Sequence, residues 1–513
     1  MHRPTTAQRA PLPLIAVAGL SALLATIPVI YLGVRISDAG LDGVLAVLAR
    51  PRLPLLVTNT IVLAASVTVS ATVLGVVSAL ILARVRLPVS RLLAGIAVLP
   101  LAVPSYLAAF GWIAAFPTIH GFWPSWLVLT VVTTPYVTLP VAAAVRGTPA
   151  MLGEVARTLG CGPVRAFWAA TWPRIRGATL AGALLVCLYA LADFGGVALF
   201  RHPVLTTAIY QAYGASFDRN YAAVLAALLA LLALLVFAIE RRSRLRRLPP
   251  VGRAGAAEPV RLGAVTPLAI GVLLAAPVAA VGVPLASLIV RLANAQTVRE
   301  LDLPRLIEAI GATIALAGVG AVLAVLLAVP IATLAARYPG PVARLTETLG
   351  SLPLALPGVV IGLGLVFFSL GAAPGLYQSA AMLAFAYGVL FLPKTIGTIR
   401  AAMEHVPRSL EDVAATAGYT RLARWRLVTL RLARPGIVVA ALLAAVSAMK
   451  ELPATLLLRP TEVNTLAVEL WAKTDVAAYG AAVPYAIALV LLAAVPAVLL
   501  SPRNERITRE SIR

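Results

Sequence analysis

Residues 149–177 read PAMLGEVARTLGCGPVRAFWAATWPRIRG and residues 407–435 read PRSLEDVAATAGYTRLARWRLVTLRLARP, so one polar pattern occurs twice in an otherwise apolar chain. Apolar residues three and four positions apart predict that each stretch begins as a short amphipathic helix. Ser409 and Asp412 have the spacing of a capping box at the start of the second helix. A glycine is typical of a helix end, because it adopts the left-handed conformation at little cost. Equivalent helices are therefore predicted, sharing at an offset of 258 the pairs Pro149 and Pro407, Glu154 and Asp412, and Gly160 and Gly418.

The composition indicates a polytopic membrane protein. Of 513 residues, 61% are hydrophobic and 12% are charged, and the mean hydropathy is +0.95. This balance excludes a soluble enzyme with a single anchor. The formal net charge of +22 could indicate nucleic acid, but most of the 42 Lys and Arg fall in segments predicted to lie on one side of the membrane. The positive-inside rule accounts for the charge, so we expect membrane lipid and no nucleic acid as a partner.

Twelve apolar runs are long enough to cross a bilayer core of about 30 Å. The first run follows two arginines, as a signal peptide does, but it is long enough to span and shows no small-residue cleavage site. We interpret it as a retained helix. With the N-terminus inside, the basic loops and the C-terminal tail all become cytoplasmic. The prediction is an all-α, multi-pass protein with both termini cytoplasmic and spans at 12–34, 55–83, 92–116, 122–146, 178–200, 220–239, 263–290, 306–336, 345–371, 376–399, 436–458 and 478–501.

The chain is an internal repeat. Matches at an offset of 253 include Arg84 with Arg337, Pro104 with Pro357, and Leu139-Pro140 with Leu392-Pro393. The offset then rises to 258, and we place the additional residues of the second copy in 394–406. Six helices per half predict two parallel repeats about an axis along the membrane normal. The predicted domains are repeats 1–240 and 263–502, a basic cytoplasmic linker 241–262 and a cytoplasmic tail 503–513.

No catalytic or metal-binding constellation is evident in the sequence. The three lysines follow Pro, Met and Ala, so none completes the Gly-Lys-Ser/Thr of a phosphate-binding loop. The four histidines are scattered, and Cys161 and Cys187 fall in different environments. This usage predicts neither a disulfide framework nor a metal site. We therefore predict no catalytic residue and no cofactor, and we expect energy from another subunit or from an ion gradient.

The two polar stretches resemble the EAA loops of ABC-transporter permeases. The resemblance rests on an acid, an alanine two residues later and a glycine four residues after that, with valine where the family has its first alanine. The second copy departs further, with Asp412 for glutamate and Arg431 where the first copy has Pro173. In the family this loop is the coupling helix that docks in a groove of the ATPase subunit. The resemblance implies ATPase-coupling roles for Glu154, Ala156, Gly160, Pro173, Asp412, Ala414 and Gly418.

Ionisable residues inside predicted spans mark a second candidate site. Asp193 lies in LADFGGVALF and Lys450-Glu451 in MKELPATLLL, and the two acids match at an offset of 258. Because buried charges are costly in lipid, we predict that Asp193, Lys450 and Glu451 line the translocation pathway or its outer gate, near the pseudo-twofold axis. The alternative is that the acids satisfy broken backbone beside Gly195 and Pro453. Both interpretations remain open at the level of sequence.

The segments around these acids resemble the ferric-iron branch of binding-protein-dependent permeases. The resemblance covers almost the whole chain and implies the type I importer permease fold in a bacterial plasma (inner) membrane. It also implies two copies of a cytoplasmic ATPase, which hydrolyse ATP, and an extracytoplasmic binding protein that delivers ferric iron. Alternatives within the class are thiamine, a polyamine or a sulfate-like oxyanion as substrate. An ion-coupled secondary transporter is the alternative from another class, and the coupling loops would have no role in it.

Overall fold

The computed structural model describes residues 10–148, 155, 158–214, 218–245, 260–293 and 301–499. The helices of the first half are α1 (Leu12–Leu48), α2 (Leu53–Arg84), α3 (Ser90–Val98), α4 (Ser105–Ala115), α5 (Phe122–Arg146), α6 (Trp172–Ala192), α7 (Gly195–Leu199), α8 (Leu205–Gly214) and α9 (Arg219–Leu245). Those of the second half are α10 (Thr266–Pro277), α11 (Val283–Leu292), α12 (Leu303–Arg337), α13 (Pro341–Gly350), α14 (Gly358–Ala372), α15 (Ala380–Glu404), α16 (Arg408–Thr416), α17 (Leu430–Met449), α18 (Pro453–Leu458), α19 (Leu466–Asp475) and α20 (Tyr479–Leu499). The predicted all-α fold class is confirmed.

Most predicted spans coincide with long apolar helices. Within the described ranges, nine helices are long and apolar enough to cross a membrane, and the bent pair Ser90–Ala102 with Ser105–Ala115 provides a tenth candidate. The predicted span 92–116 is not continuous, because this pair bends by 93°. The predicted span 345–371 is likewise divided into α13 and α14. These two predicted crossings are therefore pairs of shorter helices.

A proline causes each of these two breaks. Val103 and Leu356 directly precede Pro104 and Pro357, and both are extended, with ψ of 121° and 132°. A proline ring clashes with a helical residue before it and drives that residue to extended backbone. Each proline then forms the N-cap of the helix that follows. Each break thus has a local cause in the sequence, the proline. The apolar composition of the predicted span gives no sign of it.

The additional residues of the second repeat lie before α15, and their predicted placement in 394–406 is wrong. Helices α5 and α15 both have 25 residues, and their two ends match at an offset of 258. Pro393 therefore matches Pro135, not Pro140. Helix α14, with 15 residues, is longer than α4, with 11, and it contains most of the insertion. The chance recurrence of Leu-Pro concealed the shift.

The chain divides into two compact units that do not follow the sequence repeat. One unit comprises the residues up to Val44, Asp302–Ala472 and the residues from Pro484. The other comprises Leu45–Leu301 and Lys473–Val483. Most of α1 therefore belongs to the unit that contains most of the second repeat. Helices α10 and α11 belong to the unit that contains most of the first.

Matched glycines on α14 and α4 allow α1 and α11, respectively, to approach closely. A Cβ atom at Gly364 would lie 2.3 Å from the backbone oxygen of Pro28, and one at Gly111 would lie 2.4 Å from the Cα of Pro284. Gly111 and Gly364 match at an offset of 253. Helix α1 therefore packs on α14, and α11 on α4, through small residues, as in many membrane helix pairs.

Candidate functional site

The second polar stretch forms α16, which ends in a glycine-based cap. Gly418 has a φ of 84°. Its amide donates to the carbonyl of Ala415 (3.0 Å), and the amide of Tyr419 donates to the carbonyl of Ala414 (3.0 Å). This pair of bonds is a Schellman motif, which satisfies carbonyls that the last helical turn leaves without partners. The predicted helix end at Gly418 is confirmed.

Gly160 has the same backbone conformation at the end of the first polar stretch, with a φ of 82°. In the helical turn that leads to it, the amide of Leu159 donates to the carbonyl of Val155 (3.0 Å). Glu154 and Ala156 lie outside the described residues. A residue with a Cβ adopts this conformation at a cost of roughly 1–2 kcal/mol. The two glycines therefore set the direction in which the chain leaves each helix.

The start of α16 differs from the prediction. Pro407 is its N-cap, with φ −61° and ψ 132°, and no side chain caps the first turn. Ser409 is the second helical residue, so the capping box predicted for Ser409 and Asp412 is wrong. Because the helix begins directly after the proline, the Ser409 hydroxyl lies past the position from which a side chain caps free amides.

Both polar stretches present apolar side chains to solvent. In the described residues α16 has no buried member, and Asp412 is exposed on it. Isolated exposed apolar residues are common, but a group of them on one short helix and its flanks is typical of a contact with a partner protein or with the membrane. Each stretch is therefore a candidate partner surface, and its exposed apolar residues include Val155, Leu159 and Val164 in the first and Leu410, Val413 and Leu422 in the second.

Each polar stretch continues into one turn of π-helix, which the sequence pattern did not indicate. The turns are Phe167–Thr171 and Trp425–Thr429, matched at an offset of 258, and they lead directly into α6 and α17. Pro173 lies just after the first π-helical turn, within the continuous helix Val164–Ala192, where its missing amide cannot donate to the preceding turn. Trp425 donates through Nε1 to the hydroxyl of Thr333 (3.3 Å). Such turns are often found at functional sites.

Asp193 lies at the break after α6, and its carboxylate caps α7. Oδ1 accepts from the amides of Gly196 (3.1 Å) and Val197 (3.2 Å). The Ser105 hydroxyl donates to Oδ2. The residue is 7% exposed. The predicted span 178–200 is thus interrupted at the acid, and the carboxylate satisfies amides that the break leaves free.

Glu451 performs the same task for α18. Its Oε1 accepts from the amide of Ala454 (3.2 Å). Gly358 occupies the place matched to Ser105 at an offset of 253, and a Cβ atom there would lie 2.7 Å from Glu451 Oε1. The glycine therefore leaves room for the longer acid. The predicted span 436–458 is interrupted here, as 178–200 is at Asp193.

These contacts favour the interpretation in which both acids satisfy broken backbone. The pathway role of Asp193, Lys450 and Glu451 remains a prediction. Among the residues that the structure describes, no group of three or more His, Cys, Asp or Glu could hold a metal ion. The role that the described contacts give to the two carboxylates is that of helix caps at the breaks.

Lys394 is an intramembrane cation that sequence reasoning missed. It lies within α15 with its side chain exposed, and its Nζ is 3.4 Å from the hydroxyl of Ser447, three residues before Lys450. The matched residues of the first repeat are Tyr136 and Tyr189, whose ring centroids are 5.8 Å apart. The rarity of lysine could have drawn attention to Lys394, since only three of the 42 basic residues of the chain are lysines.

Comparisons with known proteins agree with this architecture. The model of the family described as "Binding-protein-dependent transport system inner membrane component" matches twice, over residues 71–246 and 328–503. The Fe(3+)-transport system permease protein FbpB 2 of Haemophilus influenzae is 32% identical over 492 residues, 95% of this chain and 97% of that protein. The molybdenum transport system permease protein ModB of Mycobacterium tuberculosis is 34% identical over 191 residues, 35% of this chain and 72% of that protein. The sulfate transport system permease protein CysW of Synechocystis sp. is 32% identical over 152 residues, 26% of this chain and 54% of that protein.

The two family matches contain the features that recur in the structure. Each matched segment includes one polar stretch with its left-handed glycine, one π-helical turn and one helix break at an acid. The similarity to the Haemophilus influenzae permease extends over nearly the full length of both proteins. The chain therefore belongs to the family of binding-protein-dependent transport system inner membrane components and carries the family domain twice.

Proposed function

We propose that this chain is the permease subunit of an ATP-driven importer that receives ferric iron from an extracytoplasmic binding protein. The observation that carries the proposal is the matched pair of polar stretches, each ended by a left-handed glycine and each exposing apolar side chains. Two copies of a cytoplasmic ABC ATPase dock on them, one near Gly160 and one near Gly418. Support for iron comes from the name of the Haemophilus influenzae relative, which aligns over nearly the whole chain.

The docking proposal assigns a role to each coupling residue. The glycines set the exit direction of the chain, and Pro173 lies just after the π-helical turn in the helix that leads back into the membrane. ATP hydrolysis belongs to the separate subunit, because no lysine of this chain completes a phosphate-binding loop. The remaining residues contact the ATPase groove, and they are Glu154, Ala156, Asp412 and Ala414.

We propose an orientation with both termini in the cytoplasm and with the repeats 1–240 and 263–502 as the functional halves. The positive-inside rule supports it, because the linker 241–262 and the tail 503–513 are both basic. A backbone contact also supports it: Val260, near the end of the linker, donates to the carbonyl of Arg84 (2.7 Å) and accepts from the amide of Arg86 (2.9 Å). The linker thus meets the basic end of α2, which the proposal places in the cytoplasm.

For the intramembrane groups we propose that Asp193, Lys450 and Glu451 border the translocation pathway together with Lys394. The carboxylates brace the helix breaks, and the lysines face the path. Lys394 has an exposed side chain in the middle of an apolar helix. An ammonium in hydrocarbon costs at least about 2.5–3.5 kcal/mol, so this side of α15 faces water, not lipid.

The substrate is tested by uptake into proteoliposomes that contain the permease, the ATPase and enclosed ATP, with loaded binding protein outside. We expect radioactive ferric iron to enter, and we expect unlabelled iron-loaded binding protein to compete with it. Molybdate and sulfate, supplied with their own binding proteins, should not compete. Iron entry at the rate of ATP-free vesicles would contradict the iron proposal.

The two lysines favour a second candidate, an oxyanion substrate. The Lys394 ammonium lies 3.4 Å from the hydroxyl of Ser447, three residues before Lys450. The positive charges of the two lysines attract an anion and repel a bare ferric ion. Two relatives are named for molybdenum and sulfate transport, although the similarity covers only 35% and 26% of this chain. Uptake of radioactive molybdate or sulfate in the same vesicles, slowed at least about tenfold in K394Q/K450Q, would establish this candidate instead. Absence of oxyanion uptake would remove it.

A further inference from the structure

An ion pair ties the second coupling helix to the body of its repeat. Arg337, the last residue of α12, places Nη2 2.8 Å from Oε1 of Glu411 in α16. The hydroxyl of Thr429 donates to the same carboxylate oxygen (2.6 Å). Both terminal nitrogens of Arg337 also donate to the carbonyl of Val406 (3.2 Å each). Only 8% of the Arg337 side-chain surface and 24% of the Glu411 side-chain surface are exposed.

These bonds join four elements at one point. They connect the end of α12, the segment after α15, the coupling helix α16 and the π-helical turn that leads into α17. A second contact adds to the first, because Trp425 of the π-helical turn donates to Thr333 of α12 (3.3 Å), whose hydroxyl lies 3.5 Å from the sulfur of Met403. If α16 moved by itself, it would break charge-assisted bonds in a largely buried environment, which is costly.

The first repeat has no carboxylate at the place matched to Glu411. Its arginine and threonine are present, since Arg84 matches Arg337 and Thr171 matches Thr429, but Gly153 occupies the place of Glu411. Glu411 also precedes the acid of the coupling motif, Asp412, so it is not part of the pattern that the two stretches share. The end of α2 is bonded to the linker through the backbone of Arg84 and Arg86, both of which pair with Val260.

We infer that Arg337 and Glu411 are positioning residues for energy coupling, and that the two ATPase contacts are mechanically unequal. This inference rests on the proposed function. The ion pair makes α16 move with α12 and α17, so that motion of the ATPase docked near Gly418 reaches the membrane helices of the second repeat directly. The first coupling stretch, without a carboxylate at Gly153, transmits motion less rigidly.

The test is the number of substrate ions imported per ATP hydrolysed, measured in proteoliposomes with the complete transporter and iron-loaded binding protein. We expect Glu411→Gln, which keeps the shape and the Thr429 hydrogen bond, to lower this ratio at least about fivefold while ATP turnover changes less than about twofold. Glu411→Asp, which keeps the charge, should recover most of the ratio. Glu404→Gln breaks an exposed pair with Arg400 at the neighbouring helix end and is the matched control, with no expected change.

The inequality of the two contacts is tested by the matched pair Arg337→Gln and Arg84→Gln. The first should lower imported iron per ATP as Glu411→Gln does, and the second should leave it within about twofold of the wild type. An unchanged ratio in Glu411→Gln, equal losses in the two arginine variants, or no recovery in Glu411→Asp would overturn the inference. Wild-type vesicles that import nothing with ATP would instead contradict the proposed function itself, so the two failures are distinguishable.

Discussion

At the scale of single residues, each matched carboxylate has a neighbour that suits its length. Asp193 is the shorter acid and receives a hydrogen bond from Ser105. Glu451 is longer by one methylene, and the matched neighbour is Gly358, which has no side chain to displace it. In each repeat the acid and its neighbour therefore form a matched pair. Replacement of one member alone should lower the free energy of unfolding more than replacement of both.

We expect Gly358→Ser to lower the free energy of unfolding by about 1–2 kcal/mol, because the new Cβ pushes the Glu451 carboxylate from the Ala454 amide. Gly358→Ser with Glu451→Asp recreates the arrangement of the first repeat and should recover most of that loss. Thermal unfolding of the purified permease in detergent gives the double-mutant cycle. A coupling energy below about 0.5 kcal/mol would mean that the two positions do not compensate each other.

Asp193→Asn should leave the uptake rate per inserted permease nearly unchanged, because the amide oxygen still accepts from Gly196 and Val197. Asp193→Ala leaves these amides without an acceptor and should reduce the amount of inserted protein, by a stability loss of about 1–3 kcal/mol. Uptake rate and immunoblot of the same membranes separate the two effects. A slow rate with a normal amount of Asp193→Asn would assign the carboxylate to the pathway instead.

At the scale of helices, proline and glycine decide where elements begin and end, and these positions were partly predictable. The helix ends at Gly160 and Gly418 followed from the pattern, since only glycine adopts the left-handed conformation cheaply. The breaks at Pro104 and Pro357 were missed because apolar length outweighed the effect of proline on the preceding residue. The capping role of Asp193 was one of the two interpretations that the sequence left open. Its hydrogen-bond partner Ser105 is distant in sequence, so no local pattern reveals that contact.

Replacement of both coupling glycines by valine should weaken ATPase association and abolish uptake while the permease still inserts. The cost of roughly 1–2 kcal/mol for a Cβ in left-handed backbone redirects the chain at each helix end. Gly162→Val is the matched control, because Gly162 is exposed and a Cβ atom there would meet nothing within 4 Å. Co-purification of the ATPase measures association. Wild-type co-purification by Gly160→Val with Gly418→Val would refute the assignment of these turns as docking sites.

The N-terminus of α9 should show a pH-dependent stability. Asp218 caps the helix by accepting from the Tyr221 amide (2.9 Å) and pairs with Arg50 (2.8 Å). Burial of the carboxylate raises its pKa, but the Tyr221 amide and the Arg50 guanidinium outweigh that effect and hold the pKa below its ordinary value.

A lowered carboxylate pKa stabilises the folded state above the unfolded pKa of about 3.9, and the stability is lost as the pH falls through the folded pKa. Asp218→Ala should therefore cost about 1 kcal/mol at pH 7, mainly through the lost cap. The difference from the wild type should shrink below about pH 4. Thermal unfolding in detergent across this range is the measurement, and a difference that is independent of pH would show that the charge contributes nothing.

At the scale of the whole molecule, the repeat was predictable and the composition of its compact units was not. Matched prolines and polar stretches recur along the chain, so sequence alone identifies two copies. The assignment of α1 to one unit and of α11 to the other depends on close approach at Gly364 and Gly111. Such packing joins residues far apart in the chain, and the hydropathy of a helix does not specify its neighbour.

The central claim is that this permease imports its substrate with energy from an ATPase that docks on the two coupling stretches. The direct measurement is uptake of radioactive ferric iron by proteoliposomes holding the permease and the ATPase, with loaded binding protein outside and either ATP or an imposed proton gradient as the energy source. Uptake is expected to require ATP, to rise with loaded binding protein and to survive collapse of the proton gradient. Uptake by the purified permease alone, driven by the pH gradient without ATP, would contradict the claim.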